Sequence, residues 1–110
     1  MYWNMVLNET GKSQWGWKQN SMITIDTGTK MVTYNPEFYL MKHFSRFISP
    51  GAYKIETSDE NCLAFRIADS IIVVYCNFGN KTEKYFELDG YRFNVMIPEG
   101  SINTFIINVL

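Results

Sequence analysis

The chain has 110 residues, 46% hydrophobic and 19% charged, with a net charge of −1. That length suits one domain or part of one, and the composition excludes a disordered or collagen-like chain. Ten basic and eleven acidic residues are scattered without a basic stripe, which argues against nucleic-acid binding by bulk electrostatics. No apolar run reaches the roughly 18 residues of a membrane span. Met1-Tyr2-Trp3 opens a strand-like run rather than a basic leader, so no signal peptide is expected. The one excess is aromatic, 16% Phe, Trp and Tyr with three Trp. Such side chains stabilise cores and also stack on flat apolar ligand faces.

Residues 2–7, Tyr-Trp-Asn-Met-Val-Leu, read as a short strand, apolar enough to be buried on both faces. A loop with Gly, Ser and Trp runs from Asn8 to Asn20. Ser21–Asp26 reads as extended and Thr27-Gly28-Thr29 as a turn. Asn35 then suits a helix cap, Pro36 the first helical position and Glu37 the positive end of the dipole. Leu40, Met41, Phe44, Phe47 and Ile48 fall on one apolar arc of roughly 120°. Ser49-Pro50-Gly51 stops this helix of about 13 residues.

Residues 52–110 read as all β. Asn61–Ile67 and Ile71–Phe78 form a hairpin around Ala68-Asp69-Ser70. A three-residue loop pairs Ile67 with Ile71, Phe65 with Val73 and Leu63 with Tyr75, and sets Cys62 opposite Cys76. A two-residue loop offsets every pair by one. The second strand, with Ile72 and Val74 on its other face, is expected to be covered on both sides. Asp89-Gly90 signals a type I′ turn, with Leu88 facing Tyr91, Phe86 facing Phe93 and Glu87 facing Arg92. Pro98-Glu99-Gly100-Ser101 turns into a last strand, Ile102–Val109. Four or five antiparallel strands at this spacing indicate a β-sandwich sheet. The fold expected is mainly β, an antiparallel sandwich with one amphipathic helix and one N-terminal strand for which the chain offers no parallel partner.

Several strings resemble glycoside hydrolase family 30. Tyr2-Trp3-Asn4-Met5-Val6-Leu7-Asn8-Glu9-Thr10-Gly11 and Asn20–Asp26 are similar to its last barrel strand and the loop that follows. Tyr34–Tyr39 and Lys42-His43-Phe44-Ser45-Arg46-Phe47-Ile48-Ser49-Pro50-Gly51-Ala52 resemble its final helix. Ala64-Phe65-Arg66 and Val73-Val74-Tyr75-Cys76-Asn77 resemble its side-domain hairpin. The resemblance implies residues 1–50 as a remnant of the last unit of a (β/α)₈ barrel and 51–110 as an incomplete C-terminal β-sandwich. It implies a parent that hydrolyses β-O-glycosidic bonds with retention, in β-glucans, xylans or glucosylceramide-like substrates. The parent family works in secreted, periplasmic or lysosomal settings. Its acid/base and nucleophile Glu residues lie upstream of the matching strand, so no catalytic residue is expected here and the chain alone is expected to be inactive. The family sandwich also takes a strand from before the barrel, so an open sheet edge and self-association are expected, with the helix arc of Leu40, Phe44 and Ile48 buried in the assembly or folded back on the sheet.

The acidic residues offer no convincing pair for retaining hydrolysis, which needs two carboxyl groups about 5–5.5 Å apart. Glu87 has its Arg, Glu37 starts a helix, Asp89 sits in a turn and Asp59-Glu60 in a polar loop. Glu9 and Asp26 flank the Trp loop. Trp3, by resemblance, lines the sugar subsite; alone it reads equally as a core aromatic. Asn4 offers a hydrogen bond to a sugar hydroxyl or to the barrel interior. Trp15-Gly16-Trp17, beside Lys18-Gln19-Asn20, suits a pyranose ring, with pinning of the loop onto the body as the plainer reading. His43 has no ligand cluster at metal spacing and reads as structural. No metal or cofactor is called for. Cys62 and Cys76 read as free thiols. Asn8-Glu9-Thr10 and Asn80-Lys81-Thr82 fit the glycosylation triplet. Two rivals to the glycosidase reading are a stand-alone carbohydrate-binding module using Trp15 and Trp17, and a structural interaction domain without glycan affinity.

Overall fold

The computed structural model describes residues 3–109; Tyr2, where the expected first strand begins, lies outside them. The chain divides into two compact units, one ending at Lys42 and one beginning at His43. Among the described residues no helix is long and apolar enough to cross a membrane.

In the first unit β1 (Val6–Asn8) pairs in parallel with β2 (Ile23–Ile25), and β3 (Val32–Tyr34) runs antiparallel to β2. This corrects the expectation that the first strand has no parallel partner. A parallel return needs a dozen or more residues, and residues 9–22 supply them. It also corrects the burial. Trp3, Met5 and Val6 are exposed, and among the described residues every buried hydrophobic one lies at or beyond Cys62. A three-stranded sheet without a second layer of its own has nowhere to hide its faces. The turn after β2 forms as read: Asp26 Oδ1 accepts the Thr29 N–H at 2.7 Å, and Lys30 takes a positive φ of 64°.

The helix α1 (Pro36–Ser45) starts at the expected Pro but is shorter than expected, at 10 residues. Its end is closed by the Phe44 carbonyl, which accepts N–H groups from both Phe47 (3.1 Å) and Ile48 (2.9 Å). The Asn35 side chain turns to the sheet instead, donating to the Ser21 carbonyl at 2.8 Å and to Thr24 Oγ1 at 2.9 Å. Of the expected apolar arc, Leu40 and Met41 are exposed while Phe44, Phe47 and Ile48 are half-buried.

The second unit is a sandwich. One sheet has the order β4 (Tyr53–Ile55), β5 (Cys62–Ile67), β6 (Ser70–Asn77), β9 (Ser101–Asn108), all antiparallel. The other is the hairpin of β7 (Thr82–Leu88) and β8 (Tyr91–Ile97). The β5–β6 register differs by one residue from the three-residue-loop reading. The observed pairs are Ala64 with Val73 and Cys62 with Tyr75. The turn is the two-residue Ala68-Asp69, made possible by a positive φ of 46° at Ala68. A one-residue slip exchanges which side chains share a face. Cys62, Ala64, Ile71, Val73 and Tyr75 thus form the core face. Cys76 points to the opposite face, so it cannot bridge to Cys62, and both thiols are free.

The hairpin β7–β8 has the expected register throughout, with Asp89 and Gly90 both at positive φ (48° and 81°), as a type I′ turn requires. Its inner face lays Phe86, Leu88, Val95 and Ile97 on the core. Phe86 stacks on its cross-strand partner Phe93 at 5.1 Å and meets Tyr75 edge-on at 5.8 Å. Phe105 of β9 completes the cluster at 5.4 Å from Phe86. On the other face of the large sheet, Phe44 meets Phe65 edge-on at 6.3 Å and His43 Nδ1 lies 2.8 Å from Thr104 Oγ1. Buried Asn77 donates to the carbonyls of Asn80 and Pro98, tying two turns to the end of β6.

The two sheets are also joined by an ion pair. Lys84 of β7 donates to Asp59 in the β4–β5 connection, and its ammonium sits 4.9 Å from the centre of the Tyr75 ring. The Lys84 bond and the Asn61 N–H hold the Asp59 carboxyl below the usual range. A folded pKa below the unfolded value stabilises fully above the unfolded pKa, and that stability is lost as pH falls through the folded one. Thermal melts should therefore fall below about pH 4, and Asp59→Asn should flatten that fall while costing about 1 kcal/mol or less at neutral pH. Ile97 is 0% exposed, so urea denaturation of Ile97→Ala should show a loss of about 3 kcal/mol.

Candidate functional site

The Trp loop is built on backbone ties in the first unit. Gly11, with φ of 60°, opens it, and a side chain there would press on the Gln19 carbonyl at 3.2 Å. The Gln19 N–H bonds the Gly11 carbonyl at 2.7 Å, and Lys12 pairs with Lys18 across a β-bridge. At the tip Ser13 N–H donates to the Trp17 carbonyl at 2.9 Å and Gly16 N–H to the Ser13 carbonyl at 2.9 Å. Ser13 Oγ accepts the N–H groups of Trp15 and Trp17, each at 3.3 Å. Gly16 needs its positive φ of 80° to close this turn.

The tip presents both indoles to solvent. Trp15 is 70% and Trp17 67% exposed, with ring centroids 5.9 Å apart and planes tilted by 35°. The reading in which these rings pin the loop is thereby corrected, because backbone and Ser13 bonds hold it. Trp3 is 89% exposed in this chain. Asn4 ties the loop's base, its Nδ2 donating to Gln19 Oε1 at 3.1 Å and the Asn20 carbonyl at 3.3 Å.

A polar cavity of about 290 Å³ opens at this base, lined among others by Asn8, Thr10, Lys18, Asn20, Asn35 and Glu37. None of the three Trp residues lines it. The sequence pointed to the amides beside the Trp pair but not to Asn35 or Glu37, which residues 20–37 fold back onto the same cavity. The adjacent carboxylates are engaged. Glu9 accepts the Thr27 N–H at 2.9 Å and Thr27 Oγ1 at 2.7 Å, which hold its pKa below the usual range, and Asp26 is held low by Thr29. A general acid for glycoside hydrolysis needs a raised pKa, and Glu9, Asp26 and Asp59 are all shifted the other way. Among the described residues no group of three His, Cys, Asp or Glu is placed to hold a metal. The arrangement can bind, through exposed aromatic faces and nearby amide, hydroxyl, ammonium and carboxylate groups.

Removing Ser13 Oγ should loosen the tip without unfolding the protein. In Ser13→Ala the Trp fluorescence anisotropy should drop, with the melting temperature within about 2 °C of the parent.

No protein-family model matches the chain. A Caenorhabditis elegans protein described as glucosylceramidase 3 is 32% identical over 114 residues, covering 94% of this chain and 22% of that protein. A 3-hydroxyacyl-acyl-carrier-protein dehydratase of Ehrlichia ruminantium is 29% identical over 84 residues, covering 76% of this chain and 55% of that protein. Among solved structures, an endo-β1,6-glucanase superposes with a TM-score of 0.80 at 19% identity, over 98% of this chain and 26% of its own. The chain thus spans about a fifth of the first relative and about half of the second. The fold of this chain is that of part of the solved glucanase structure. Over nearly its whole length, the chain is related to the C-terminal region of family 30 glycoside hydrolases.

Proposed function

We propose that the chain serves hydrolysis of β-O-glycosidic bonds, in a β-glucan, xylan or glucosylceramide-like substrate, as a glycan-contacting and bracing part and not as the source of the catalytic carboxylates. Residues 1–50 act as the last strand, loop and helix of a barrel, and 51–110 as the sandwich beside it. The observation that carries this reading is the Trp15–Trp17 pair, held out of the core by a hydrogen-bonded turn beside a polar cavity. A pyranose has apolar faces for the indoles and hydroxyl edges for Asn4, Lys18 and Asn20. Trp3 offers a further aromatic wall.

The exposed apolar residues of the first unit, Met31, Val32, Tyr34, Leu40 and Met41 among them, support self-association when no other partner covers them. Sedimentation equilibrium at micromolar concentration should show species larger than a monomer.

Calorimetric titration against soluble β-glucans, xylan and simple glucosides tests the glycan reading. Binding that Trp15→Ala or Trp17→Ala weakens about tenfold, close to 1.4 kcal/mol, is the expected outcome, with no sugar released from any substrate. Absence of heat with every glycan, from protein shown to be folded, overturns glycan contact by this chain.

A further inference from the structure

The inner face of the β7–β8 hairpin is spent on the core. Its outer face is flat and carries three cross-strand pairs: Glu83 with Met96, Tyr85 with Asn94, and Glu87 with Arg92. Bonded and non-bonded pairs alternate from Leu88 and Tyr91 at the turn, so all three are non-bonded pairs, in which side chains stand closest. Tyr85, at the centre, is 70% exposed, and Met96 53%. A large ring in mid-strand, turned outward, is an aromatic platform that the fold does not use for its own core. A strand added beside β7 would lengthen this sheet without turning these side chains, because they stand perpendicular to it.

The polar groups around the ring are held in place. Glu83 accepts the Tyr85 hydroxyl at 3.2 Å and the Asn94 amide, and Glu87 accepts Arg92 Nε at 2.8 Å. The bond to Glu83 also pushes the Tyr85 phenol up from its ordinary value, so it remains a donor. Among the described residues, Asn94 Oδ1 and the terminal N–H groups of Arg92 take no partner, which leaves an acceptor and donors beside the ring. Asn94 lies directly across from Tyr85, about 4.5–5.5 Å between Cβ atoms, and Arg92 on the diagonal. One apolar face ringed by both donors and acceptors matches a pyranose, whose hydroxyls both give and accept hydrogen bonds. Two carboxylates against one guanidinium leave an excess negative charge, which disfavours acidic sugars and phosphates. We propose that the outer face of the β7–β8 hairpin is a second glycan site, taking a neutral pyranosyl residue of an oligosaccharide on the Tyr85 ring with its hydroxyls on Asn94, Arg92 and Glu87. The site rests on the glycan reading above for its ligand class alone, since all its residues belong to the second unit.

Titration of the isotope-labelled full chain with cellohexaose and xylohexaose, followed by nuclear magnetic resonance, tests this. The backbone signals of Tyr85, Arg92 and Asn94 should shift with one common dissociation constant, and the indole signals of Trp15 and Trp17 with their own. Tyr85→Ala should weaken the hairpin constant at least about tenfold and leave the indole response unchanged, whereas Tyr85→Phe, which keeps the ring, should stay within about threefold of the parent. Asn94→Ala, which removes only a hydrogen-bonding edge, should weaken it about threefold or more. Trigalacturonate should bind the hairpin at least about tenfold more weakly than the neutral oligomers. Signal dispersion shows whether each variant is folded. Hairpin signals that stay still while the indoles respond overturn this site and leave the Trp-loop reading standing. The reverse pattern overturns the Trp-loop reading and supports this site. No response at either place, equal binding of trigalacturonate, or a folded Tyr85→Ala variant that binds like the parent overturns the proposal.

Discussion

Strand β6 carries Ile71, Val73 and Tyr75 on one face and Ile72 and Val74 on the other, and all five are buried. A strand apolar on both faces must have hydrogen-bonding neighbours on both edges and a cover on each side. β5 and β9 supply the edges. The β7–β8 hairpin covers one face. The other is met by Phe44 and His43 at the end of α1, through Phe65 and Thr104. Each buried branched side chain contributes about 1.5–3 kcal/mol of transfer free energy, so this strand organises the second unit. Asn77 then ends it, with its amide spent on two turn carbonyls so that no buried polar atom is left without a partner among the described residues.

The first unit obeys the opposite arithmetic. None of its three short strands has a buried residue; among the described residues of this unit only Ser21, just before β2, is buried, and the unit is held by local hydrogen bonds. Glu9 on Thr27, Asp26 on Thr29 and Asn35 on Ser21 and Thr24 fix the loops. These are the same bonds that keep the carboxylates ionised and occupied. A carboxylate that ties a loop in this way is held ionised, the opposite of what a protonated acid near neutral pH needs.

Edges differ in the same way. β8 lies over β9 through Phe93 and Phe105, 6.3 Å apart, whereas β7 faces a groove. Outward Glu83 and Glu87 give that edge like charges on alternate residues. Charge on an edge strand is a recognised device against self-pairing. Here its placement on alternate residues keeps the inner face apolar.

The order of most elements, the Pro36 start of the helix, the Asp89-Gly90 turn and the whole β7–β8 register were determined by sequence alone, because each depends on short-range chemistry: a fixed φ, a left-handed turn pair, an alternating apolar face. The relation to a glycosidase C-terminal region was legible in strings spread over the chain. Tertiary structure decided what depends on distant partners. The β5–β6 register turned on the backbone of Ala68, a residue with no intrinsic preference for positive φ, and it separated Cys62 from Cys76. The parallel β1–β2 pair required knowing that the Trp loop returns beside its own start. The exposure of Trp3, Trp15 and Trp17 could not be read from their identity, since an indole is equally suited to a core or a ligand. It was fixed by where the layers of the fold stop.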